Sequence, residues 1–242
     1  STERFNNTAT DSAISSSRAP SGQLPAQTKP VGWCDSNSMS AITIGPQGQK
    51  ILTLAINGNE MTFPCSKSGM AKAYREAIKS GDQDLMERTS AMFEIETIRE
   101  SLELHGGDPN TVQMGGYHRD VKGQDPSGYE SHHIPARSVQ SENAEWLPTV
   151  SITEADHKNT FSYSGKQRHI SQPIFPSNIK PITYKQSVSN KISKGGSGYI
   201  EAVRNELLDL RASTGHKYDG GISAYLDAVI DMLAIRGVPG AL

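Results

Sequence analysis

The chain is 242 residues long, 35% hydrophobic and close to neutral, with a formal net charge of −2. That length suits one sizeable domain or two small ones. The balanced charge names no partner, two cysteines exclude a cysteine-rich zinc site, and no apolar run approaches the roughly 20 residues that a membrane span needs.

Residues 1–30 are dominated by Ser, Thr, Ala, Asn, Gln and Pro, and predict a disordered linker. The polar start lacks the basic-then-apolar plan of a secretory signal, so export would need a specialised route. Residues 31–107 predict a small α+β unit of unknown role. Strands are expected at 41–44, 50–56 and 60–63, with Gly45-Pro46 and Asn57-Gly58 marking the turns of a meander. Two helices follow, at 68–79, stopped by Gly81, and at 84–104, where Leu85, Met92, Ile95 and Leu102 share one side and Gly106-Gly107 supplies a glycine cap. Cys34 and Cys65 are too far apart for a Cys-x-x-Cys knuckle and are expected to be free thiols.

Residues 108–242 form the third segment. Periodicity is weak from 108 to 198, where loops are expected to dominate. Two amphipathic helices close the chain. One carries Ile200, Val203, Leu207 and Leu210; the other carries Ile222, Tyr225, Leu226, Val229, Ile230 and Leu233, and ends at Gly237 and Pro239. These stripes read as core.

The chemistry is expected in the loop-rich part. An adjacent histidine pair says little alone, but His132 and His133 lie between the turn-forming 122–128 and Pro135, as at the end of a strand. Neighbouring strand residues face opposite ways, so one imidazole can hold a metal ion while the next faces a substrate. Trp146-Leu147-Pro148-Thr149-Val150 supplies a second strand, and Ser151-Ile152-Thr153-Glu154 reads as a capping box opening a short helix that carries His157. The order is strand with His-His, loop, strand, helix with His.

Those residues carry a resemblance. Tyr129-Glu130-Ser131-His132-His133 is similar to the His-His strand of colicin-type DNases. With the run from Pro148 to Thr160, it resembles the SHH-signature branch of the HNH/endonuclease VII superfamily, found at the C-termini of bacterial polymorphic toxins. The likeness spans about residues 115–214. It implies an α+β fold with a ββα-metal (His-Me finger) core and C-terminal helices, and a metal-dependent endonuclease that hydrolyses DNA in a competitor cell. By position, His132 is a metal ligand, His133 the general base, and His157 a second ligand or a phosphate stabiliser, with Glu130 grouped among the catalytic residues. Two departures stand out. Phe161 replaces a second helical histidine, and Pro148 stands where an asparagine often orients the base. The missing ligand favours one Mg²⁺ over Zn²⁺, with Asp156 or Asn159 completing the shell. The resemblance further implies a cognate immunity protein, a secretion apparatus or adaptor, and action in the target-cell cytoplasm.

Charge distribution points to a polyanion independently. No Asp or Glu occurs between His157 and Ile200, whereas Lys158, Lys166, Arg168, Lys180, Lys185, Lys191 and Lys194 are interleaved with Phe161, Tyr163, Phe175 and Tyr184. Such a stretch suits phosphate tracking and base stacking; a solvated loop is the plainer reading. His169 and Arg119 are further candidates for phosphate contact. His105, His118 and His216 lie near glycines and read as loop residues. Three rivals remain at this stage: an RNase using the same side chains, a zinc hydrolase, disfavoured because there is no His-Glu-x-x-His, and a non-catalytic nucleic-acid-binding module. Gly195-Gly196-Ser197-Gly198 is not a phosphate loop, because no Gly-Lys-Ser/Thr follows.

Overall fold

The computed structural model describes residues 41–163 and 184–241. It is a mixed α+β fold with two small antiparallel sheets laid against a set of helices.

The first sheet is the expected meander, β1 (Ile42–Ile44), β2 (Lys50–Ile56) and β3 (Asn59–Pro64). Asn57 and Gly58 take φ of 53° and 79°, the left-handed pair that a tight hairpin turn demands. Leu52, Leu54 and Ile56 alternate inward along β2. Helix α1 (Lys67–Ser80) starts at Ser66, whose hydroxyl accepts the Gly69 N–H, and stops at the left-handed Gly81. Helix α2 (Gln83–Leu102) starts at Asp82 and buries Leu85, Met92, Ile95 and Leu102 as their spacing predicts. The expected glycine cap is replaced: the chain leaves the helix at Glu103, itself left-handed at φ 50°, before Gly106 is reached.

The second sheet contains β4 (Gly115–Tyr117), β5 (Tyr129–His133) and β6 (Pro148–Thr153), in the order β4-β6-β5, so the His-His strand lies at an edge. Strand β4 has no sequence signature. Its Gly115 is required by packing, because a Cβ there would stand 2.1 Å from the Gly221 carbonyl oxygen. Helix α3 (His118–Val121) follows directly, and α4 (Glu154–Lys158) follows β6. The expected capping box is displaced by two residues. Thr153 is the cap, its hydroxyl accepting the Asp156 N–H, while Ser151 stays in the strand.

Helix α5 (Tyr184–Ile192), also unexpected, precedes α6 (Gly196–Thr214) and α7 (Asp219–Ile235). The apolar stripes of α6 and α7 are buried as expected. Helix α7 is the centre of the molecule, packed against β4 and β6 on one side and α2 on another. It also buries three carboxylates, Asp219 at its start and two further along. Asp227 accepts from Lys50 Nζ at 2.5 Å and from Arg99 at 2.6 Å; Asp231 accepts the Tyr117 hydroxyl and the Ala41 N–H, both at 2.6 Å. One continuous apolar core therefore runs from Ile42 to Leu233, across the boundary expected near residue 107. Among the described residues no helix is long and apolar enough to cross a membrane.

Candidate active site

Strand β5 pairs with β6 in antiparallel register, His132 opposite Val150 and His133 opposite Thr149. The pleat then sends Glu130 and His132 to one face and Ser131 and His133 to the other. Helix α4 returns over the first face. It brings the His157 ring to 4.8 Å from the His132 ring, centroid to centroid, at an interplanar angle of 56°. His157 Nδ1 stands 3.5 Å from Glu130 Oε2, and both atoms are buried without a hydrogen bond. Tyr163 closes the far side of His157, edge-on at 4.9 Å.

Burial sets the protonation of this face. His132 is 2% exposed, and removal from water holds its imidazole well below the ordinary histidine range, helped by the neighbouring His157 and His133. Burial lowers His157 as well, against the pull of Glu130. Both rings are neutral at neutral pH, the form that offers lone pairs to a cation.

The opposite face is built differently. His133 is pushed down to about 4, chiefly by burial. Its Nε2 lies 3.2 Å from the Ala144 carbonyl oxygen, which can only accept, so Nε2 carries the proton and Nδ1 keeps the lone pair. The Ala144 carbonyl thus orients the ring where Pro148 supplies no side-chain partner. The His118 ring lies 4.5 Å from His133, tilted by 42°. Beside them Asp125 accepts hydroxyl hydrogens from Ser131 at 2.8 Å and Ser151 at 2.5 Å.

The other expected residues divide. Asp156 does not turn its charge to the histidines: Oδ2 accepts from Tyr218 at 2.5 Å, Lys217 at 2.8 Å and Thr153 at 3.1 Å. Glu130 lies on the same face as His132, against His157. Lys158 is exposed at the end of α4, next to His157. Arg119 lies over the Trp146 ring at 4.7 Å, with Arg236 also against that ring at 5.2 Å, so its guanidinium serves a stack. Lys166, Arg168, Lys180 and His169 lie outside the described residues. The stretch is acid-free in sequence, but the fold brings acids to it. Lys191 lies 3.7 Å from Glu201, and Glu87 accepts the Gly196 N–H.

No family model, curated protein or solved structure matches the chain. Its functional reading therefore rests on the site itself and on the resemblance of its motifs.

Sequence reasoning missed His118 and Glu206. His118 sits in a four-residue helix with no periodicity to mark it. Glu206 is an acid within an apolar helix face, the one signal that could have singled it out. Burial pushes its carboxyl well up, while it accepts the Ala136 N–H at 3.1 Å and the Ser162 hydroxyl at 3.4 Å. Glu206 thus ties the chain just after the His-His strand to the chain just after α4.

A second cluster joins His105, His216 and Asp219, with candidate ligand atoms all within 4.8 Å of one another. Among the described residues it is the only group of three to do so. Its rings are stacked, 4.1 Å apart and 9° from parallel. A cation must lie in the plane of each imidazole that binds it, and two stacked planes share no such point. Asp219 instead accepts the His105 N–H at 2.9 Å and lies 2.5 Å from His216 Nδ1, closing the start of α7 onto the end of α2.

Proposed function

We propose that this chain is a metal-dependent endonuclease hydrolysing phosphodiester bonds of DNA, with β5, β6 and α4 as a ββα-metal core. The observation that carries the reading is the convergence of His132, His157 and Glu130. Ligand bonds of ~2 Å place neighbouring ligand atoms about 3–3.4 Å apart, and His157 Nδ1 and Glu130 Oε2 stand 3.5 Å apart with no other hydrogen bond. His157 and Glu130 are spaced as two ligands of one divalent cation, and His132, which does not lie within 4.8 Å of both ligand atoms, would have to close on the same ion. Imidazole nitrogens favour Mn²⁺ or Zn²⁺ over Mg²⁺, an open ligand set favours an ion that keeps waters, as Mg²⁺ does, and Mn²⁺ meets both demands.

When bound, the cation supplies Lewis acidity that offsets charge growing on the phosphate and the leaving oxygen. The protein does the rest. β5 is an edge strand, so a nucleic-acid backbone can straddle its end with one imidazole on each side. His133, neutral through burial and fixed by the Ala144 carbonyl, offers Nδ1 to take the proton of the attacking water. The motif resemblance adds the setting: a toxin delivered into a competitor bacterium and held harmless in its producer by a cognate immunity protein.

The test is direct. Purified protein should nick supercoiled plasmid with Mg²⁺ or Mn²⁺, and EDTA should stop it. Cleavage that persists in excess EDTA, or none of DNA or RNA with either ion, removes the reading.

A further inference from the structure

The turn after the His-His strand is held unusually tightly. Three consecutive residues each have a backbone group gripped by a buried side chain. The Ile134 carbonyl accepts the Tyr225 hydroxyl at 2.6 Å, the Pro135 carbonyl accepts the Gln140 amide at 2.6 Å, and the Ala136 N–H donates to Glu206 at 3.1 Å. The gripping groups come from α7, from the turn itself and from α6, and all are nearly inaccessible to solvent. Buried polar groups arranged this way fix a backbone far more closely than a surface turn requires.

What the clamp presents is Arg137. It is the next residue, the first of a one-turn helix (Arg137–Val139), and it is exposed. Other cations are engaged: Lys122 bonds Glu145 at 2.6 Å, Arg119 lies on Trp146, and Lys217 is bound to Asp156. Arg137 has no carboxylate within ion-pair distance among the described residues. It follows His133 by four residues, directly after the clamped turn that ends the His-His strand.

We infer that Arg137 is a phosphate-binding residue, seated by the Tyr225–Gln140–Glu206 clamp to hold a backbone phosphate beside the one being cleaved. A guanidinium matches the phosphate oxygens with two parallel N–H donors. An anchored backbone makes that match cheaper, because only the side chain of Arg137 then has to be ordered when the substrate arrives. This inference rests on the nuclease reading and gives it a specific substrate contact just beyond the end of β5.

Binding of a short fluorescent DNA duplex, measured by anisotropy across a salt series in EDTA, tests it without cleavage. Arg137→Ala should weaken binding about tenfold, as loss of one charge-assisted contact does, and reduce the salt slope by roughly one counterion. Arg137→Lys should keep the slope and lose part of the affinity. Melting temperature should be unchanged in both, because the side chain has no ion-pair partner to lose among the described residues. If the parent protein cleaves plasmid and Arg137→Ala binds with parent affinity and slope, the Arg137 contact is wrong and the nuclease reading stands. If the parent protein neither cleaves nor binds nucleic acid, both fall together.

Discussion

Two clusters in this molecule have the same composition, a pair of histidines and one carboxylate, and opposite construction. At His105, His216 and Asp219 the rings are stacked 9° from parallel, and the carboxylate already bonds a backbone N–H and an imidazole. At His132, His157 and Glu130 the rings are tilted by 56°, and the carboxylate oxygen facing His157 makes no hydrogen bond. The first cluster fastens α2 to α7 through Asp219 Oδ2, while Asp219 Oδ1, like Glu130 Oε2, is buried without a hydrogen bond. The second is the looser of the two by distance, yet it leaves lone pairs unspent on a rigid strand edge. Ring orientation, rather than proximity, is what distinguishes the two clusters.

The largest expected effect lies in catalysis. Substituting His133 by Ala should lower plasmid cleavage by ~10²–10⁴-fold, the usual worth of a positioned base. His105→Ala should leave the rate unchanged; a comparable loss there would erase the distinction between the clusters. Stability should respond the other way round. Asp219 is fully buried, and Asp219→Ala should cost about 3 kcal/mol in urea denaturation, as removal of one partner of a buried charged network does. Glu130→Ala, at a side chain 38% exposed, should cost little.

Acid adds a further effect. His133 titrates near 4 in the folded protein against about 6.5 unfolded, so the folded state favours the neutral ring. Its contribution is complete above pH 6.5 and is lost as pH falls towards 4, about 3 kcal/mol in all. His132 acts in the same direction. Equilibrium unfolding between pH 7 and pH 4 should show this loss, and His133→Ala should flatten it.

Helices α6 and α7 were legible in the sequence because Leu207, Leu210, Val229 and Leu233 repeat at helical spacing and are buried accordingly. The meander was legible because Asn57-Gly58 leaves the chain little choice of turn. Strand β4 was not: Gly-Gly-Tyr has no β-forming pattern, and its place is set by close approach to α7. The pairing of His132 with His157 follows from the strand-strand-helix order. The orientation of His133 by the Ala144 carbonyl does not, since a backbone group carries no sequence signal. Asp156 misled for a related reason. It is adjacent to His157 in sequence, but the partners that claim it, Lys217 and Tyr218, come from some sixty residues further along the chain.

The placement of the metal is the central claim, and a titration of Mn²⁺ followed by calorimetry tests it most directly. The account predicts that His132→Ala weakens Mn²⁺ binding by more than tenfold while His216→Ala binds as the parent does. Binding that survives His132→Ala and disappears with His216→Ala would contradict it, and would place the ion at the stacked pair instead.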